Sequence, residues 1–177
     1  MSAPNRTVDD AADPPRALAG SFRDVMAGVA TPVSVVTTLT PGPDGTASPH
    51  GTTVSAFASL SMDPPMVLVS LDRRSNLLAL LAEGGLFGVN VLSTGQAAVA
   101  NRFARRGPDD FADLDWQSAD GAPRLSGTAG WLSCRVAQLV DGGDHVVVLG
   151  NVVAAAATDA APLTYHLRRF GTHTPHD

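Results

Sequence analysis

Five hydroxyls, those of Thr52, Thr53, Ser55, Ser59 and Ser61, crowd into the stretch HGTTVSAFASLSMDPP, His50 to Pro65. Its sizeable apolar residues are Val54, Phe57, Leu60 and Met62, fewer than a strand built to fill a core would carry. Hydroxyls and lightly shielded backbone N–H groups at this density suit a flat, polar, anionic ligand lying along the chain. The stretch reads as a binding ledge. A second concentration is Asp72-Arg73-Arg74-Ser75-Asn76, where two guanidiniums and a hydroxyl precede a helical pattern. Unpaired N–H groups at a helix start favour anions, so a phosphate fits there, with Ser59 and Ser61 as nearby donors. The same residues serve equally well as a plain helix cap and solvated charges. Third, Gly143-Asp144-His145 places an imidazole at a turn, where it either faces a ligand or sits on the surface.

The rest of the inventory is sparse. His50 opens the ledge and is placed to line it, His166 lies in a strand-like segment, and His173 and His176 fall in the C-terminal end. No HxH or HxxxH spacing occurs, which argues against a zinc or iron site. The single cysteine, Cys134, excludes an intramolecular disulfide and reads as a core residue of its strand rather than a nucleophile. Glutamate occurs once, at Glu83, and all twelve basic residues are arginine. Without lysine there is no Schiff base and no Walker A loop. GxSxG, GxGxxG and paired-carboxylate spacings are also missing, so an enzyme built on this chain would take its chemistry from a cofactor. A net charge of −5 gives no electrostatic case for nucleic acid. The N-terminus shows no signal-peptide pattern, and the longest apolar tract, Val146 to Ala157, is broken by Gly150 and Asn151 and too short for a bilayer. These features predict a soluble cytoplasmic protein with no membrane contact.

The elements that must position these groups follow from periodicity and turn chemistry. With 177 residues, 44% hydrophobic and 16% charged, the chain suits one extensively buried or oligomeric domain over 18–172. Residues 1–17 form a flexible tail and 173–177 a short end. Ser21 and Asp24 resemble a capping box, and Phe22, Val25, Met26 and Val29 recur at helical spacing up to Thr31-Pro32. Val33 to Thr40 predicts a strand, Pro41 to Gly45 a hairpin turn, and the returning strand leads into the ledge. Pro64-Pro65 interrupts pairing before Met66 to Leu71, a continuous apolar strand suited to burial. A short helix from Ser75 to Glu83, a strand from Leu86 to Leu92 and a helix from Thr94 to Ala104 follow. Arg102 to Gly121 reads as a long loop. Two long strands, Trp131 to Val140 and His145 to Ala157, flank the turn Asp141 to Asp144. The fold class is mainly β with flanking helices, arranged as a small closed antiparallel barrel with helices at its ends.

In this order, FRDVMAGVATPVSVVTT (22–38), the His50–Pro65 ledge, LFGVNVL (86–92), WLSC, the Gly143–His145 turn and PLTYHLRRFG (162–171) resemble the short-chain flavin reductases. These are the reductase components of two-component flavin-dependent monooxygenases, and the resemblance covers nearly the whole chain except its tail. It implies a split antiparallel β-barrel, the FMN-binding split barrel. It implies an NAD(P)H-dependent reductase that transfers hydride from NADH or NADPH to FMN or FAD and supplies diffusible reduced flavin to a partner monooxygenase. On this resemblance Thr53, Val54 and Ser55 contact the isoalloxazine ring, largely through backbone groups. Ser59, Leu60 and Ser61 accompany the ribityl and phosphate, Arg74 and Ser75 close around the phosphate, and His145 faces the nicotinamide. Val54 stands where other members carry Asn, which leaves FMN against FAD open. Arg102, Arg105, Arg106, Arg168 and Arg169 are the candidates for a 2′-phosphate. The family implies a homodimer. The alternatives are a non-catalytic flavin-binding or storage protein on the same fold, and a self-sufficient oxidoreductase acting on an organic substrate.

Overall fold

A computed structural model of the chain describes residues 16–42, 45–105 and 111–176. Most of the expected tail lies outside these residues. The first helix, α1 (Arg16–Ala27), starts a full turn before Ser21. The good helix formers Ala17, Leu18 and Ala19 carry it further upstream than a capping reading at Ser21 allows.

Strand β1 (Thr31–Pro32) is followed by β2 (Ser34–Pro41), β3 (Ala47–Val54), β4 (Phe57–Met62) and β5 (Pro65–Asp72). Then come α2 (Asn76–Ala82), β6 (Leu86–Val91), a 3₁₀ turn Thr94–Gln96 and α3 (Ala97–Ala104). The chain ends with β7 (Trp116–Ala119), β8 (Ala122–Leu125), β9 (Gly130–Gly142), β10 (His145–Ala157), β11 (Leu163–His166) and β12 (Arg169–Thr172). Seven strands form one antiparallel sheet in the order β3-β2-β6-β9-β10-β5-β4. β1, β11 and β12 make a second small sheet, and β7 with β8 a separate hairpin. Three of the six pairings in the large sheet, β2–β6, β6–β9 and β5–β10, join strands that are not sequence neighbours.

The barrel is not closed. β3 and β4 are the two edges of the large sheet, and the chain passes from one to the other through Ser55 and Ala56. At that corner the Ser70 amide donates to the Ala56 carbonyl at 2.9 Å. Beyond it, β3 is drawn to α3 by a 2.7 Å bond from Thr53 Oγ1 to the Ala100 carbonyl, and Gly51 lies against Phe103. β4 instead completes a hairpin with β5. An edge strand held by a helix cannot also pair with the opposite edge, so the split persists.

Apolar residues sort into two clusters on either side of this sheet. One gathers Val67, Val69 and Leu71 of β5 with Leu77, Leu78 and Leu81 of α2, and with Phe87, Cys134 and Val148. The other joins Val33, Val35, Leu92, Ala100, Phe103, Leu125 and Leu163. Each fully buried Leu, Val or Phe contributes roughly 1.5–3 kcal/mol of burial free energy. β5 alternates in burial along its length rather than being uniformly covered, because one of its faces meets α2 and the other opens beside β3. The region expected to be a loop, Arg102 to Gly121, contains β7 and the turn that leads into β8. That turn, Asp120-Gly121, has positive φ at both residues, the conformation a two-residue hairpin demands. Buried Asn90 ties the hairpin to the large sheet: its Oδ1 accepts from the Leu125 amide, and its Nδ2 donates to the Pro123 and Val35 carbonyls.

Candidate active site

The split between β3 and β5 widens into a cleft of about 960 Å³, within the range of small-molecule and cofactor sites. One wall is β3 from Ser48 to Val54, continued by Ser55 and Ala56; the other is the Ser70–Asp72 end of β5, with Ser75, Asn76 and His145. Phe103, Ala104 and Arg105 at the end of α3, with Phe111 and Ala112, close the third side. Because β3 is an edge strand paired on one side with β2, alternate backbone N–H and C=O groups on its other side are left to a ligand.

Local packing explains the stiffness of these walls. Phe103 and Phe111 meet edge to face at 5.0 Å, and Phe111 meets Trp116 at 5.5 Å. Arg102 Nη1 donates to the Ala112 carbonyl at 2.5 Å, fixing the segment that carries Phe111. His50 Nε2 lies 2.9 Å from Thr40 Oγ1 across the β2–β3 pair.

Of the residues expected at a site, the cleft brings together Thr53, Val54, Ser55, Ser75 and His145. Thr53 spends its hydroxyl on α3, and the Val54 side chain is buried in the core, so both present backbone to the cleft. Ser55 is exposed at the corner. Ser75 occupies the N-cap of α2 in extended conformation with no side-chain cap bond, so its hydroxyl is not committed to the helix.

Ser59, Leu60, Ser61 and Arg74 are not among the lining residues. The first three lie on β4, at the far edge of the sheet, with an irregularity in register between Ser59 and Ser61. Arg74 folds back on Asp72: its Nε and Nη2 reach Oδ1 and Oδ2 at 3.1 and 2.8 Å. That fork, helped by the Arg74 amide, holds the Asp72 carboxyl well below the usual carboxylate range and raises the guanidinium. Arg73 is also taken, by Asp141 at 2.7 Å and the Gly143 carbonyl at 2.7 Å. Both guanidiniums of the pair expected at a phosphate are thus engaged with acids, Arg74 with Asp72 and Arg73 with Asp141.

His145 begins β10 and pairs in register with Asp72 of β5, which puts the imidazole at the mouth of the cleft. Its Nδ1 lies 2.7 Å from Asp144 Oδ1. A carboxylate only accepts, so Nδ1 carries the proton in this pair, and the hydrogen bond from His145 lowers the Asp144 pKa. In this tautomer Nε2 is the acceptor of the ring. Cys134 is fully buried and burial pushes its thiol up to about 12, which removes it from any nucleophilic role near neutral pH.

Sequence reasoning missed the Phe103–Phe111 wall because the stretch after α3 read as a loop. The Asp-Gly dipeptide at 120–121 was the available signal for the hairpin that braces this wall.

Comparisons with known proteins bear on the family and the fold. A family model described as "Flavin reductase like domain" matches residues 26–174. The NADH:riboflavin 5′-phosphate oxidoreductase of Streptomyces pristinaespiralis is 40% identical over 92% of this chain and 94% of its own length. The reductase component of the Rhodococcus opacus 4-nitrophenol 4-monooxygenase/4-nitrocatechol 2-monooxygenase is 37% identical, over 88% of this chain and 81% of that protein. A probable flavin reductase of Rhizobium meliloti is 39% identical over 91% of this chain, which spans about half (49%) of that longer protein. Among solved structures, the Streptomyces globisporus NADH:FAD oxidoreductase, in complex with NAD and FAD fragments, superposes with a TM-score of 0.81. It shares 30% identity and covers 94% of this chain and 98% of that one.

Proposed function

The chain belongs to the flavin reductase like family, and from that premise we propose that it is an NADH-dependent flavin reductase whose β3–β5 cleft receives FMN or FAD. The observation that carries this reading is the open backbone edge of β3, facing Ser75 and His145 across a cleft with a rigid aromatic end. The donor set fits a flavin. Fixed backbone and hydroxyl donors suit the pyrimidine edge of an isoalloxazine, where negative charge gathers on reduction.

When bound, a flavin would supply the redox chemistry of hydride transfer from a nicotinamide, and its reduced form would serve a monooxygenase partner. What the chain contributes is placement. Thr53, Val54 and Ser55 orient the ring through backbone groups, and Ser75 offers a hydroxyl to the ribityl-phosphate end. Ser59, Leu60 and Ser61 join this set if the ligand turns the Ala56 corner onto the β4 edge. His145, at the cleft mouth, would meet the nicotinamide and help to position it, a task that requires approach to about 3–3.5 Å for hydride transfer. No protein nucleophile is needed, in keeping with the inert Cys134 and the single glutamate. A 2′-phosphate would find Arg105 on the lining, whereas Arg102 and Arg168 are bonded to Ala112 and Asp24.

We also propose a homodimer. Leu18, Phe22, Val25, Met26 and Val29 of α1 and its end are 44–67% exposed. An apolar helix face this bare favours a second copy over water. Light scattering on the purified protein should give twice the chain mass; a monomer would remove the proposal.

The test of function is oxidation of NADH or NADPH by the purified protein with added FMN or FAD, in all four combinations. NADH oxidation dependent on added flavin is the expected result, and His145→Ala should raise the KM for NADH while flavin binding persists. A protein that binds flavin but leaves it oxidised under both nucleotides is instead a storage module.

A further inference from the structure

We propose that Arg73 is a positioning residue for this reaction: it staples the β9–β10 turn and through it sets the His145 imidazole at the cleft mouth. The inference rests on the reductase reading above. Arg73 itself is not on the cleft lining, so whatever it does for catalysis passes through the turn.

The contacts come from one residue and fall on three of the four turn residues. The Arg73 amide donates to the Asp144 carbonyl at 3.0 Å. Its Nε donates to the Gly143 carbonyl at 2.7 Å, and its Nη2 to Asp141 Oδ1 at 2.7 Å. Gly143 has φ 66°, as a two-residue hairpin turn requires. Without the Arg73 side chain the Gly143 carbonyl and the Asp141 carboxylate would lose this partner, while the Asp144 carbonyl would keep the backbone amide. The register completes the linkage. His145 pairs with Asp72, the residue immediately before Arg73, so the base of the turn is tied to β5 by the ladder and its tip by the guanidinium.

An exposed ion pair alone contributes little, and Asp141 is 81% exposed. The weight lies in the geometry of the fork, which meets a carbonyl and a carboxylate at once, as a single ammonium would do poorly. Asp144 sits inside this clamp and holds His145 Nδ1 at 2.7 Å. Loosening the turn therefore loosens the group that fixes both the orientation and the tautomer of the imidazole. The neighbouring Arg74 does none of this, since its fork is closed on Asp72.

The experiment uses the full-length protein with Arg73→Ala, Arg73→Lys and Asp141→Asn, read by backbone amide exchange and by steady-state kinetics with NADH and flavin. Arg73→Ala should speed exchange over 141–145 and raise the KM for NADH about tenfold, the scale of one charge-assisted hydrogen bond. The kcat and the flavin affinity should move less than about twofold. Lysine should restore only part of the loss, and Asp141→Asn should cost less and be non-additive with Arg73→Ala. Unchanged exchange over 141–145 overturns the staple. An unchanged NADH KM despite faster exchange, flavin affinity falling in step with KM, or full rescue by lysine overturns the positioning role. If the parent protein oxidises no NADH, the reductase reading fails, and the exchange data still decide whether Arg73 holds the turn. Should Arg73→Ala unfold, the lysine variant and Asp141→Asn carry the same comparison.

Discussion

The two halves of the His50–Pro65 stretch have much the same composition and opposite fates. His50 to Ser55 lies along β3 and its corner and forms a wall of the cleft, whereas Phe57 to Met62 forms β4 at the other edge of the same sheet, with Met62 85% exposed. Both halves are rich in hydroxyls, and both are edge strands. What separates them is what lies on the open side. β3 faces β5, α2 and α3 across the split, while β4 has no strand on its outer side among the described residues. A polar ribbon becomes a site where a second wall stands opposite it; the hydroxyl count alone does not decide.

The sharpest way to break this contrast is to disturb the β3 half where it is held. A Cβ on Gly51 would come within 2.8 and 3.0 Å of the Phe103 ring. Gly51→Val forces either β3 or the Phe103–Phe111 wall to move, and overpacking of this kind costs typically 1–3 kcal/mol. We expect the melting temperature to fall by about 2–12 °C, with flavin affinity lowered more than tenfold because both the backbone edge and the aromatic end shift. Thermal melts and flavin titration measure the two together. A variant that melts and binds like the parent would mean that the ring yields freely and that β3 is not held by it.

Thr53 gives an intermediate and more selective test. Its hydroxyl is directed to the Ala100 carbonyl, not to a ligand. Thr53→Val keeps the shape and removes that bond, so stability should drop by about 1 kcal/mol. Flavin affinity should change only as far as β3 drifts from α3, within about threefold. A chemical denaturation curve beside a flavin titration separates the two effects. Large loss of flavin with intact stability would place the Thr53 hydroxyl on the ligand and reverse its assignment here.

How legible all this was in the sequence varied with the range of the cause. β9, β10 and the turn between them were readable because β-branched runs and a Gly-Gly-Asp turn are local signals. So was α2, with Ser75 before it and Gly84-Gly85 after it. The start of α1 was misplaced because a capping pattern at Ser21 competes with good helix formers upstream of it. The β7–β8 hairpin was hidden by its charged flanks although Asp120-Gly121 marked it. At the site, Ser75 and His145 stood out through local signals, a helix start and a turn, and the fold sets both on the cleft lining. The roles of Arg73 and Arg74 were not readable. Two adjacent arginines look alike until the fold sets Asp141 beside one and turns Asp72 back on the other. Nor did the composition of β3 and β4 tell which edge would meet a second wall. That depends on the sheet order, with β2, β6, β9, β10 and β5 all lying between them.

The smallest expected effect tests the other half of the comparison. Ser59 is exposed and Ser61 half-buried on β4, and neither side chain lines the cleft. The register shift between them lies at the sheet edge, where an extra residue is easily accommodated. Ser59→Ala with Ser61→Ala should therefore leave stability within about 0.5 kcal/mol, as for surface changes away from packed or bonded groups. Flavin affinity should stay within about twofold of the parent, and the KM for NADH likewise. The measurement matters because these two serines are the expected companions of the ribityl-phosphate. If the double variant binds flavin tenfold more weakly at unchanged stability, the ligand must turn the Ala56 corner and run along the β4 edge. The site would then use both halves of the ribbon, with Ser75 at one end and Ser61 at the other. If affinity holds, the phosphate end belongs to Ser75 alone, and β4 is polar because it is an exposed edge that must resist pairing with other chains.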